Sequence, residues 1–311
     1  MRVSKFLKLL FVFTCFLPYQ GYLQENISIT SKRNDDNSIT YSYEKRMPGN
    51  YLVYLNVQQI GNTTAPSERI TVSGQSGTLF TLKPISEKSG IAFRFRYGFV
   101  RGKYKPKPDF DFVYCLPFKN GKEIRVDEIS TISQTAGVSK PSNWKAFQFT
   151  TSSESDSVFV ARKGLVVEVV EKNDPDYNLE YAYKQDANYV IIEHKDGTLA
   201  RYDVLEKNSV APEEGDMVFP GDFLAMAGTY DKKENKQLRF RVFYLNQLED
   251  EMLWGSRKMS DGNSFYSHLN PVFMTKEGAS RLKKGDFTMA LINDDLITEE
   301  MTKREKKKRS K

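Results

Sequence analysis

The chain is expected to be mainly β, with an N-terminal β-sandwich followed by a larger antiparallel β-domain. Three observations predict this. Aromatic content is 13%, with 17 Tyr and 21 Phe, a usage that suits strands better than helices. Short apolar or alternating runs recur at intervals of ~8–12 residues, separated by Gly, Pro and Asn turns. The stretch from Asn188 to Val242 reads as hairpin, turn, short strand, turn, strand. A length of 311 residues fits about two domains.

Taken in order, the N-terminus comes first. Arg2, Lys5 and Lys8 precede an apolar run from Leu9 to Leu17. That is a charged n-region and an h-region too short to span a bilayer. Residues 1–24 are therefore expected to be a secretory signal peptide, and no transmembrane span is expected. Cys15 follows Phe13-Thr14, a poor lipobox, so simple removal is expected over lipidation. Once the leader is gone Cys115 stands alone and no intramolecular disulfide can form. Between Tyr114 and Leu116 it reads as a small buried hydrophobe.

Residues 25–108 are the expected β-sandwich. Glu25 to Ser38 is polar and extended. Strand patterns follow at Ile39 onward, Tyr51–Val57, Ile70–Val72, Thr78–Leu82 and Ile91–Tyr97. In the last, Phe93, Phe95 and Tyr97 share one face and Arg94 and Arg96 the other. Lys105-Pro106-Lys107-Pro108 cannot hold a central strand and marks a linker. The second domain is assigned to residues 109–291. Its core is the run Asn188–His194, the turn Lys195-Asp196-Gly197-Thr198, and the returning run Leu199–Leu205. Residues 292–311 carry acids first and then bases, and are expected to be a charged, disordered tail. From Thr302 to Lys311, seven Lys/Arg stand against one Glu, which accounts for the chain's formal charge of +6. The folded part is near neutral, which argues against nucleic acid as a partner. For the tail, weak salt-sensitive adhesion to anionic wall or membrane surfaces is expected.

Several motifs of the second domain stand in a familiar order. Ile192-Glu193-His194-Lys195-Asp196-Gly197-Thr198 is followed by Tyr202-Asp203-Val204-Leu205. Then come Gly215-Asp216-Met217-Val218, Gly221-Asp222 and Gly228, and the strand Gln237-Leu238-Arg239-Phe240-Arg241-Val242. Upstream, Phe159-Val160-Ala161-Arg162-Lys163-Gly164-Leu165-Val166 fits the same series. This framework resembles the lysostaphin/LytM-type zinc metallopeptidases, which cut peptide cross-links of bacterial cell walls. The resemblance implies a LytM-type, duplicated-hybrid-motif-like β-domain. In that family an upstream His and Asp, with the second His of an H-x-H strand, hold zinc. The first His of that pair and a Tyr-x-His-Leu histidine flank the attacking water.

By the same resemblance, the functional positions of this chain are all substituted. Ser139 (or Lys140) stands for the upstream His and Gln148 for the Asp. Val204 replaces the Tyr-x-His-Leu histidine. Gln237 and Arg239 replace the H-x-H pair. Zinc needs ligands with free lone pairs and an open position, and a guanidinium has no lone pair to give. Only two histidines, His194 and His268, occur in the chain, so a three-His centre is arithmetically impossible. No CxxC, Gly-rich phosphate loop or G-x-S-x-G motif is present. No cofactor is expected.

On a strand, Gln237, Arg239 and Arg241 share one face and Leu238, Phe240 and Val242 the other. Gln148, Gln237, Arg239 and Arg241 would then line the former groove. There Arg239 would pair with a carboxylate, either a protein one such as Asp203 or Glu193, or one from a peptide ligand. The expected function is that of an exported, catalytically inactive peptidase-like protein of a bacterial periplasm or envelope. It would bind cell-wall peptide or an envelope protein and regulate wall hydrolysis. The alternatives are an active zinc endopeptidase with displaced ligands and a purely structural envelope protein.

Overall fold

The computed structural model describes residues 27–129, 144–152, 156–173, 187–229, 236–246, 253–254 and 265–309. Residues 1–24, expected to be a signal peptide, and Cys15 lie outside these residues. So does the acid- and tyrosine-rich stretch from Asp174 to Lys184.

The architecture is mainly β and mainly antiparallel, as expected. In the N-terminal unit, β1 (Ile27–Arg33), β2 (Ile39–Lys45) and β5 (Ser76–Leu82) form one sheet in the order β1-β2-β5. β4 (Arg69–Val72), β3 (Tyr51–Gly61) and β6 (Ala92–Arg101) form a second, in the order β4-β3-β6. Ile27, Tyr43, Val53, Leu55, Val72 and Leu79 are buried together, with Phe95, Tyr97 and Phe99 packed against them. Alternation on β6 thus turns the Phe/Tyr set inward. β1 falls in the polar stretch read only as extended. It is a strand because Ile27 is fully buried while five of its residues, paired along β2, stay in solvent.

The larger unit is built on a sheet of nine described strands. β14 (Met217–Val218), β11 (Gly164–Val170), β12 (Asn188–Glu193), β13 (Thr198–Leu205), β16 (Gln237–Leu245), β9 (Phe147–Thr150), β8 (Glu123–Glu128) and β20 (Phe287–Met289) follow in that order. β17 (Tyr266–Leu269) also pairs with β16. β9 takes Gln237 to Phe240, and β17 takes Val242 to Leu245. The two strands therefore meet end to end beside Arg241. Two smaller assemblies pack alongside: β10 (Ser157–Phe159) with β15 (Phe223–Met226), and β7 (Val113–Cys115) with β18 (Val272–Thr275) and β19 (Gly278–Ser280). Pro271 separates β17 from β18, where a ladder donor would be missing.

One sheet face carries the core. Ala200 and Tyr202 of β13, Leu238, Phe240 and Val242 of β16, and Phe147 and Phe149 of β9 pack with Phe273 and Tyr114. Each such buried aromatic or aliphatic side chain contributes roughly 1.5–3 kcal/mol. The Tyr202 hydroxyl accepts a hydrogen bond from Ala161 N at 2.9 Å, so its burial leaves no orphan. Cys115 is buried, with its thiol pushed up to about 12 by desolvation.

The opposite face is partly covered by the N-terminal unit. Asn50 donates from its backbone N to Glu193 Oε2 at 2.7 Å and from its side chain to Oε1. Arg101 pairs with Glu168 at 3.1 Å, and Tyr266 donates to Arg101 O at 2.8 Å. Gly49 sits at this seam with φ +85. A Cβ there would lie 2.5 Å from both Glu193 Oε2 and Val167 Cγ1, so only glycine allows the approach.

The charged C-terminal segment departs from the expectation of a disordered tail. It forms α1 (Asp294–Thr298) and α2 (Lys303–Arg309). Asn293 caps α1 by accepting from Leu296 N. Between the helices, Glu300 grips the buried Arg162 with both oxygens, at 2.8 and 3.0 Å. A run of charge reads as solvated when its partner lies far away in sequence, and here that partner is 138 residues distant.

Candidate functional site

The residues singled out by sequence converge on the second face of the large sheet. Arg239 on β16 stands directly across from Asp203 on β13 and from Gln148 on β9. Gln237, two residues earlier, stands across from Thr150. Phe147 and Phe149 point into the core, so Gln148 between them takes the opposite face. The same alternation puts Gln237, Arg239 and Arg241 on that face.

Val204 reaches the face by a bulge. Asn188 pairs with Leu205 and Tyr189 with Asp203, which leaves Val204 as the extra residue. Its φ is +69, a strained conformation for a β-branched side chain. Leu205 returns to the core three residues after Tyr202, so Asp203 and Val204 share the outer side. The bulge is held by Gly228, whose N donates to Val204 O at 2.7 Å and which also bridges to Gln237. A Cβ at Gly228 would come within 2.8 Å of that carbonyl oxygen. Of the five substituted positions, Gln148, Val204, Gln237 and Arg239 therefore gather on one face. Ser139 and Lys140 lie outside the described residues.

The electrostatics of this face are lopsided. Asp203 accepts from Arg201 Nε at 2.7 Å and lies 3.9 Å from Arg241 Nη2. Among the described residues, Arg201 and Arg241 thus share Asp203, and Arg239 stands across from it in register. Burial is the main force pulling the Arg241 pKa down; Asp203 opposes it, while Arg201 and Arg239 add to it. Arg241 Nε is buried with no acceptor. The other carboxylate considered, Glu193, is occupied by Asn50 at the seam between the units.

Sequence reasoning missed the surroundings of these arginines. Arg201 stacks over Tyr189 at 3.6 Å from the ring centroid, and Tyr189 donates to Glu168. That phenol is pushed up to about 12, first by burial and then by Glu168. Arg241 lies 5.4 Å from the Trp144 ring, which packs on His268 at 4.5 Å. Burial and Arg241 bring His268 down to about 4, and its Nδ1 is buried without a partner. Alternation could have found Arg201 and Tyr189. No spacing rule announces Trp144 or His268, because their meeting depends on β9 and β17 abutting.

His194 belongs elsewhere. Its Nδ1 lies 2.8 Å from Lys163 O and its ring packs edge-on against Tyr114. Desolvation, then Arg162, lowers its pKa. A cavity of about 360 Å³ opens near it, lined by Asn50, Lys163, Glu193, Lys195 and Glu300 among others. That cavity lies at the seam between the units, away from Arg239.

The residues present do not fit zinc. At the resembled ligand positions the groups are an amide and a guanidinium, and the second has no lone pair. Among the described residues, no group of three His, Cys, Asp or Glu side chains is placed to hold a metal ion. The undescribed stretch 130–143, which would carry the upstream ligand, contains none of those four residue types.

No family model matches the chain, and no curated protein matches it. Solved structures that are similar include a SpoIIQ–SpoIIIAH pore-forming complex, at 17% identity over 43% of this chain and 84% of that one, with TM-score 0.27. The M23 metalloprotease pseudoalterin, from the deep sea, is similar at 16% identity over 58% and 96%, with TM-score 0.30. A zinc-containing peptidase from Vibrio cholerae is similar at 15% identity over 70% and 75%, with TM-score 0.28. The neighbours thus include M23 peptidases, whose β fold is of the LytM type.

Proposed function

We propose that the chain is an exported, catalytically inactive member of the LytM-type group, retained for binding. The ligand is a peptide bearing free carboxylates, from the cell wall or from an envelope protein, seated on the face that holds zinc in active enzymes. Gln148, Gln237, Arg239 and Arg241 line the seat, and Arg201 and Asp203 set its charge. The observation that supports this reading is the register: Arg239 lies opposite both Gln148 and Asp203, at the position that the resemblance assigns to a metal ligand. Arg201, Arg239 and Arg241 gather around Asp203, and guanidinium–carboxylate pairs are strong and directional, which suits this face to a ligand's carboxylates. Without a lone pair at Arg239, no bound water is activated there.

The test has two arms. Metal analysis of purified protein is expected to find no stoichiometric zinc, and purified wall is expected to stay uncut. Stoichiometric zinc with chelator-sensitive wall hydrolysis would overturn the reading in favour of displaced ligands. Titration with wall peptides, and pull-down on intact wall, are expected to show binding that Arg239→Ala weakens. If neither wall nor its fragments bind and no envelope protein is captured through this face, the structural-protein alternative replaces the present one.

A further inference from the structure

The C-terminal helix is a cationic platform held at a fixed orientation. Thr302 and Glu305 cap it reciprocally: Thr302 N donates to Glu305 Oε2 at 2.6 Å, and Glu305 N donates to Thr302 Oγ1 at 3.3 Å. Glu305 also faces the body, where Lys163 Nζ reaches it at 2.8 Å. Met301 is buried and Glu300 is locked to Arg162. Arg309 approaches Asp222 at 3.7 Å. The single acid of the run is thus turned inward. Lys303, Arg304, Lys306, Lys307, Lys308 and Arg309 are all exposed.

Two exposed apolar side chains stand close by. Phe223 is 42% exposed and directly follows Asp222, the residue Arg309 reaches; Met217 is 49% exposed. Met217 pairs with Leu165, two residues beyond Lys163, which holds Glu305. Cations beside unburied aromatic and thioether groups are the composition of a surface that meets a lipid interface. A polyanion without an apolar layer would use only the charges.

We propose that α2, with Phe223 and Met217 at its margin, docks the protein peripherally on an anionic lipid bilayer. The cations meet headgroup phosphates, and Phe223 enters the interfacial layer. Asp294 and Asp295, exposed on α1, oppose this attraction and set its strength. The proposal is independent of the peptide-binding face.

The experiment is co-sedimentation of the full chain with phosphatidylcholine vesicles, and with the same vesicles containing phosphatidylglycerol. The expected result is a gain in affinity on adding the anionic lipid that high salt removes. The variant Lys303→Gln/Lys306→Gln/Lys308→Gln is expected to lose that gain by roughly a hundredfold, since each cation near such a surface contributes about fivefold. Phe223→Ser should weaken binding several-fold with the salt dependence unchanged. Asp294→Asn/Asp295→Asn should strengthen it. Comparing the two vesicle types subtracts the apolar contribution of the N-terminus, and Arg2, Lys5 and Lys8 are common to parent and variants, so the difference between them reads α2. A gain that the triple variant retains would overturn the proposal. So would equal binding to both vesicle types, or binding of polyphosphate with none to vesicles.

Discussion

Two arginine clusters in this chain make opposite use of the same side chain. Around Arg162 every guanidinium nitrogen is engaged: Nε and Nη2 by Glu300, Nη1 by Asp196 and by Tyr114, with Phe112 stacked 3.7 Å from the guanidinium. The side chain is 2% exposed. Around Arg201, Arg239 and Arg241, among the described residues, Asp203 is the close partner of Arg201 and a distant partner of Arg241. A buried charge with all its partners in place is part of the architecture. The cluster around Asp203 is looser, with Arg241 at 3.9 Å from its carboxylate, and it is this face that the proposed function assigns to a ligand.

The comparison is sharpened most by removing Arg162. Arg162→Ala leaves Glu300 and Asp196 without their cation, and a loss of about 3–5 kcal/mol is expected, read by urea denaturation. The same variant should free the C-terminal segment to protease. If Arg162→Ala is as stable as the parent, the closed cluster is not structural and the contrast fails.

Next in size is the dependence on pH. His268 is held down to about 4 against a usual 6.5, and His194 is lowered in the same direction. Both are neutral when folded, so below about pH 6.5 the unfolded chain binds more protons than the folded one. Stability is therefore fully present above 6.5 and falls as pH drops. For His268 the loss runs at up to about 1.4 kcal/mol per pH unit and levels off below about 4. Glu305 and Asp196, whose pKa values are lowered by Lys163 and by Arg162 respectively, add their losses at lower pH still. Thermal melts between pH 7 and 4 should show the slope, and His268→Phe should flatten part of it.

Arg241→Leu should change stability by about 1 kcal/mol or less, since Arg241 holds Asp203 only at 3.9 Å and the leucine relieves a buried charge. The same change should cut affinity for carboxylate-bearing peptides about tenfold or more. A large destabilisation with unchanged binding would move this cluster into the class of Arg162. Smallest of all is the expected reactivity of Cys115. Buried and pushed up to about 12, the thiol should be inert to a thiol reagent in the native protein and titrate once in denaturant.

Much of this molecule is written locally. Asn188–Glu193, Thr198–Leu205 and Gln237 onward are strands where apolar alternation and the Asp196-Gly197 turn place them. The two faces of β16 follow from period two. What escaped notice depends on partners distant in sequence. Glu300 looks like a solvated acid until Arg162 is brought to it. β1 hides because only Ile27 of its seven residues is buried. Trp144 and His268 meet because two strands separated by more than a hundred residues line up along β16. In the sequence Val204 stands out only as the absence of a histidine. Its bulge and its positive φ have no signature in a valine.

The junction of β9 and β17 beside Arg241 has a consequence for how the protein can change. Neither strand runs past that point, so no ladder is interrupted by altering the side chains that flank it. Trp144, three residues before β9, and His268 on β17 meet there with ring centroids 4.5 Å apart, and neither side chain belongs to the strand ladder. The side chains at this junction can therefore vary while the strand framework around them stays as it is.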